Sequence, residues 1–83
     1  MITVKQALKI FTKRFPELTV LRCVDYADDF YVLEAVEDQD AIDYNSPYYA
    51  LSKTDGRIMS FAPNLDLDAF FDAVENRTVY STY

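Results

Sequence analysis

The side chains best placed for chemistry in this chain are its carboxylates. Three groups of them stand close in sequence: Asp28 with Asp29, Asp38 with Asp40 and Asp43, and Asp66 with Asp68. Clustered carboxylates suit two chemistries. One is capture of a hard cation through oxygen ligands. The other is acid–base work on a sugar, with two acids facing each other across a cleft. The D-x-D-x-x-D spacing of the middle group lacks the glycine and the distant glutamate of a calcium-binding EF loop, so solvated charge is the better reading. A chain of 83 residues leaves little room for a sugar cleft. There is no histidine, which removes the commonest general base and makes a Ser-His-Asp or Cys-His site impossible within one chain. The single cysteine, Cys23, lies mid-strand, where a thiol behaves as a small hydrophobe. Asp25 beside it would raise the thiol pKa and work against reactivity. With one glycine there is no phosphate-cradling loop, and there is no tryptophan. The residues therefore point to a protein that is not an enzyme and that has no catalytic set, cofactor or metal site.

What the carboxylates do form is a charge pattern. Residues 1–22, 23–52 and 53–83 carry about +4, −8 and −2, for a net −6. The central block has Asp25, Asp28, Asp29, Glu34, Glu37, Asp38, Asp40 and Asp43 and no Lys or Arg. It also holds Tyr26, Phe30, Tyr31, Tyr44, Tyr48 and Tyr49. Such segregation suggests a partner surface rather than a reaction. The net charge disfavours direct contact with nucleic acid or an anionic membrane.

The elements that must position these groups fit one domain spanning residues 1–83. Half the residues are apolar and thirteen are Phe or Tyr, which is too apolar for a disordered acidic tail. No run approaches the ~20 apolar residues of a membrane span. A lone cysteine and an N-terminus interrupted by Lys5, Lys9, Lys13 and Arg14 predict a cytoplasmic protein.

Thr3 to Arg14 reads as a helix, with Val4, Leu8, Phe11 and Phe15 on one face, Thr3 and Gln6 as a capping box, and Pro16 as the stop. Leu18 to Tyr26 and Phe30 to Glu37 read as a strand hairpin across Ala27-Asp28-Asp29. Both strands are apolar on both parities, and the uncharged side of the second (Tyr31, Leu33, Ala35) is expected to face the core. Asp38 to Ser46 reads as a loop. Tyr48 to Pro63 reads as a second hairpin around Asp55-Gly56, with a turn of two or three residues. Patterning favours the three-residue form with Gly56 left-handed, which would place Tyr49, Leu51, Met59 and Phe61 on one face. Asn64 to Glu75 reads as a second helix with Leu67, Phe70, Phe71 and Val74 as its apolar stripe. Residues 77–83 form a tail that either frays or adds a short edge strand. The expected architecture is α+β: helix, four antiparallel strands, helix, with both helices on one face of the sheet in a two-layer sandwich.

The other face would either be open as a binding platform or be covered by the C-terminal tail or by a second copy of the chain. Tyr48 should lie on it, with Ile58 and Val32, fringed by Glu34. Together with Asp38, Asp40, Asp43 and Tyr44, these residues make the expected partner-binding surface.

The stretch Phe30-Tyr31-Val32-Leu33-Glu34-Ala35, a loop, then Tyr48-Tyr49-Ala50-Leu51-Ser52-Lys53-Thr54-Asp55-Gly56-Arg57-Ile58 resembles the strand core of PepSY-like domains. With the preceding helix, the likeness covers roughly the first 60 residues. The same pattern is similar to small bacterial immunity proteins and to phage or prophage proteins of comparable length. The resemblance implies a non-catalytic binding module and supplies no functional residues. Three functional expectations follow. The first is a protein-binding module of immunity or inhibitor type, whose partner carries a basic surface. The second is a nucleic-acid mimic that occupies a DNA- or RNA-binding protein. The third is a structural, homodimeric phage or prophage protein.

Overall fold

A computed structural model describes residues 1–37, 48–62 and 67–82. The elements are α1 (Val4–Arg14), β1 (Thr19–Ala27), β2 (Phe30–Val36), β3 (Tyr48–Ser52), β4 (Ile58–Phe61), α2 (Leu67–Arg77) and β5 (Thr78–Ser81). The strands form one antiparallel sheet in the order β4-β3-β2-β1-β5. The class is α+β, with helix, strands and helix in the expected order. The sheet has five strands rather than four, because the tail supplies the edge strand β5 against β1. No helix among the described residues is long and apolar enough to cross a membrane.

α1 begins as its sequence dictates. The Thr3 hydroxyl accepts from the Gln6 N–H at 3.2 Å, and the Gln6 side chain accepts from the Thr3 N–H at 2.9 Å. This reciprocal pair satisfies two of the helix's orphan donors. Helical geometry ends at Phe15, the residue before Pro16. Lys13 and Arg14 then stand at the negative end of the helix dipole.

The helices do not share a face of the sheet. α1 lays Ala7 and Phe11 on Val20, Cys23, Tyr31, Leu33, Ala35 and Leu51. α2 lays Phe70 and Ala73 on Val24 and Val32, with Tyr26, Phe30, Tyr48 and Phe61 around them. The expectation of a two-layer sandwich is thus corrected to three layers, helix, sheet, helix. The cause is visible in β1 and β2. Both parities are apolar, so each face of the central hairpin must be covered to remove it from water. In β1, register shifts between Val20 and Arg22 and between Val24 and Ala27 re-aim the side chains, which puts Val20 and Cys23 on the same side.

The β3–β4 register also differs from expectation. Leu51 faces Ile58, Ala50 faces Met59, Tyr49 faces Ser60 and Tyr48 faces Phe61. The connection is a four-residue loop, Lys53–Gly56, rather than one of two or three. It is closed by Ser52 N–H donating to the Arg57 carbonyl at 2.8 Å and Gly56 N–H donating to the Ser52 carbonyl at 3.0 Å. Side chains set this register. The Asp55 carboxylate accepts from the Arg57 N–H at 3.0 Å, and the Ser52 hydroxyl accepts from the Thr54 N–H at 3.3 Å. Lys53 turns inward, its N–H donating to the Asp29 carbonyl. Gly56 is left-handed as expected, at φ +75°. Tyr49 and Leu51 stay with the α1 core and are joined by Ile58, whereas Phe61 and Met59 turn to the α2 side.

Candidate functional site

The sheet face read as an open platform, or as one covered by the tail or a second copy, is closed instead by α2. Phe70 sits over it, its ring 5.0 Å from that of Tyr48, 6.2 Å from Phe61 and 6.4 Å from Tyr26. Tyr26, Phe30 and Phe61 pack on one another at 5.2 to 6.1 Å, completing an aromatic cluster. Edge-to-face and tilted contacts of this kind add to simple burial. Tyr48 lies beside Val32 in this cluster as expected, while Ile58 lies on the opposite face.

Glu34 is not a solvated fringe. It is 6% exposed and accepts from the Tyr48 hydroxyl at 3.0 Å. Arg22 is directly opposite it on β1, and Tyr48 directly opposite on β3. A buried carboxylate needs such partners. Glu34 therefore belongs to the interior beneath α2, and Tyr48, partly buried, is packed against Phe70 rather than displayed on an open face. Asp38, Asp40, Asp43 and Tyr44 lie outside the described residues. The chain enters that segment from the end of β2 and returns at Tyr48, the β3 residue paired with Phe61.

What faces outward here is the far side of α2. The buried stripe is Phe70 and Ala73 with Val74 half-buried, rather than Leu67, Phe70, Phe71 and Val74. Seating Phe70 in the aromatic cluster turns Leu67 and Phe71 out. Phe71 is 61% exposed and Leu67 47%. Four residues apart, the two are neighbours on the helix surface. Beside them run Asp68, Asp72 and Glu75, all exposed, at the same helical spacing. The Asp72 carboxylate accepts from the Asn76 side chain at 3.0 Å. The result is an apolar pair with an acidic margin. Sequence reading missed it by assigning Leu67 and Phe71 to the core. The signal available was the second stripe, Asp68, Asp72 and Glu75, lying against the first.

The opposite layer has the opposite charge. α1 carries Lys5, Lys9, Lys13 and Arg14 on its exposed side and no acid. The linear charge pattern thus becomes a separation across the thickness of the sheet.

Two other titratable groups are structural. The Lys53 ammonium donates to Asp25 at 2.5 Å and lies 4.7 Å above the Tyr31 ring. This pins the β3–β4 loop to β1 and β2, and Ile2 N–H donates to the Lys53 carbonyl at 2.7 Å. Cys23 is buried, and its thiol pKa is pushed up to about 12, first by burial and then by Asp25, with Lys53 opposing. No cluster of three metal-ligating side chains occurs among the described residues.

No family model, curated protein or solved structure matches this chain.

Proposed function

We propose that this chain is a small, cytoplasmic, non-catalytic protein-binding module of immunity or inhibitor type. The observation that carries the reading is the outer face of α2, where exposed Phe71 and Leu67 are bordered by Asp68, Asp72 and Glu75. An aromatic anchor with a charged rim is the composition of a protein-contact surface. Its partner would offer an apolar pocket edged by Lys and Arg. Asp38, Asp40, Asp43 and Tyr44 belong to the proposed contact as extra acidic and aromatic contributors, in place of the interior Glu34 and the partly buried Tyr48. The resemblance to PepSY-like domains and small immunity proteins is in keeping with a binding role. Opposite potentials steer encounter, so association is fast at low salt.

The test is capture from lysate of the source cells on the immobilised protein at about 50 mM and about 500 mM salt, a range that shortens the Debye length several-fold. The captured protein is then titrated with Phe71→Ala. The expected result is one enriched protein, held more strongly at low salt, whose affinity falls at least about tenfold with Phe71→Ala, or about 1.4 kcal/mol. An unchanged affinity, or no enriched protein at either salt, overturns the reading. The nucleic-acid-mimic alternative draws on the same acidic line, with Asp68 and Asp72 about 6 Å apart along the helix axis. It predicts that DNA or RNA displaces the chain from the captured protein.

A further inference from the structure

On the far side of the sheet, a groove of about 340 Å³ runs between the end of α1 and the β3–β4 turn, lined by Ile10, Arg14, Phe15, Gly56, Arg57 and Ile58. Its lining is apolar apart from Arg14 and Arg57, which make it a positively charged site. Gly56 keeps the groove open, since a Cβ there would stand 3.3 Å from Ile10 Cδ1. The Arg14 guanidinium lies 4.8 Å above the Phe15 ring, which holds one cation at the groove wall. Lys9 and Lys13 are exposed on the same helix. The nearest opposing charge in the turn is Asp55, whose carboxyl is held below the usual carboxylate range, first by the Arg57 N–H.

The groove opens beside an edge of the sheet. Among the described strands β4 is an outermost one. Ser52 N–H donates to the Arg57 carbonyl, so Arg57 directs its backbone groups toward β3. In an antiparallel ladder this alternates, so Met59 and Phe61 also face β3 while Ile58 and Ser60 turn theirs outward. Ile58 thus combines a side chain in the groove with backbone groups on the open edge.

We propose that this edge and groove together form a docking site for an extended, acidic peptide segment of another protein. The segment adds to β4 as a sixth strand, sets one aliphatic side chain among Ile10, Phe15 and Ile58, and directs carboxylates to Arg14 and Arg57. Main-chain pairing supplies affinity, and the alternate side-chain pockets supply selectivity. Arginine suits carboxylate recognition through its forked donors. The site is separate from the α2 face and does not depend on it, so the protein would hold two partners of opposite charge on opposite faces.

The experiment uses the full chain, ¹⁵N-labelled, titrated with a synthetic peptide Asp-Glu-Val-Leu-Val-Glu-Asp and with a control in which every acid is lysine. The expected result is amide shifts centred on Gly56, Ile58 and Ser60, with a Kd below about 1 mM, and no shifts with the lysine peptide. Arg14→Glu with Arg57→Glu should weaken binding at least about tenfold. Ser60→Pro removes only an outward N–H, which an edge strand tolerates; it should leave the spectrum folded and abolish binding. Absence of shifts, shifts centred on α2, full binding by Ser60→Pro, or displacement by equimolar inorganic phosphate would each overturn the proposal. So would self-association of the free chain through β4, seen by sedimentation and lost in Ser60→Pro.

Discussion

Single residues hold this fold by means that differ in how they should fail. Gly56 at φ +75° sits where a side chain is strained. Gly56→Ala should cost about 1–2 kcal/mol from the left-handed backbone alone, read as a lower urea midpoint with unchanged slope. Lys53 and Asp25 are unequal partners, since the lysine side chain is 8% exposed and the aspartate 42%. Removing Asp25 leaves an ammonium buried over Tyr31 without its acceptor, whereas removing Lys53 leaves a carboxylate that water can reach. Asp25→Ala should therefore destabilise more than Lys53→Met, by about 1–3 kcal/mol for the former. Equal losses would contradict the asymmetry.

Cys23 makes a pH prediction. Its thiol is raised from 9.0 to about 12 in the folded chain, mainly by burial. Below pH 9 the thiol is neutral in both states and its contribution is fully present. Above that, the unfolded chain ionises and the folded chain does not, so stability declines as pH rises toward 12. Cys23→Ala should remove this part of the alkaline decline while leaving the part due to tyrosines. A thiol reagent at pH 8 should label the native protein only as fast as it opens.

At the scale of elements, what could be read from the sequence was what local chemistry decides. The Thr3–Gln6 capping box and the Pro16 stop are contained within α1, and they define its observed ends. The Asp28-Asp29 connection likewise gives the β1–β2 hairpin, with Ala27 opposite Phe30. The β3–β4 register was not legible from apolar patterning, because it is set by Asp55, Ser52 and the inward turn of Lys53. α2 was misread for a similar reason. Its four large apolar residues offer two candidate stripes, and the choice between them depends on Tyr26, Tyr48 and Phe61, distant in sequence. That choice is testable. Phe70→Ala should cost about 3–5 kcal/mol as a core truncation, whereas Phe71→Ala should stay within about 0.5 kcal/mol as a surface change. Similar losses at both positions would mean that α2 is rotated on the sheet.

At the scale of the whole molecule, the sequence showed the charge asymmetry but not its geometry. A chain with basic residues first and acidic residues later could have placed both on one surface. It does not, because both parities of β1 and β2 are apolar and demand a helix on each face. The basic helix and the acidic helix are thereby held apart by the sheet. Of the expected contact residues, Glu34 went inside and Tyr48 was partly covered for this reason, and the outward residues of α2 take their place. A two-faced charge distribution predicts that binding to the partner of the acidic face is insensitive to charge on the other.

The most direct measurement is the affinity of the captured partner for two variants: Asp68→Lys with Asp72→Lys and Glu75→Lys, and Lys5→Glu with Lys9→Glu and Lys13→Glu. Contact through the outer face of α2 predicts that the first variant loses binding and the second retains it within about threefold, under 1 kcal/mol. Retention by the first, or an equal loss in both, would contradict it.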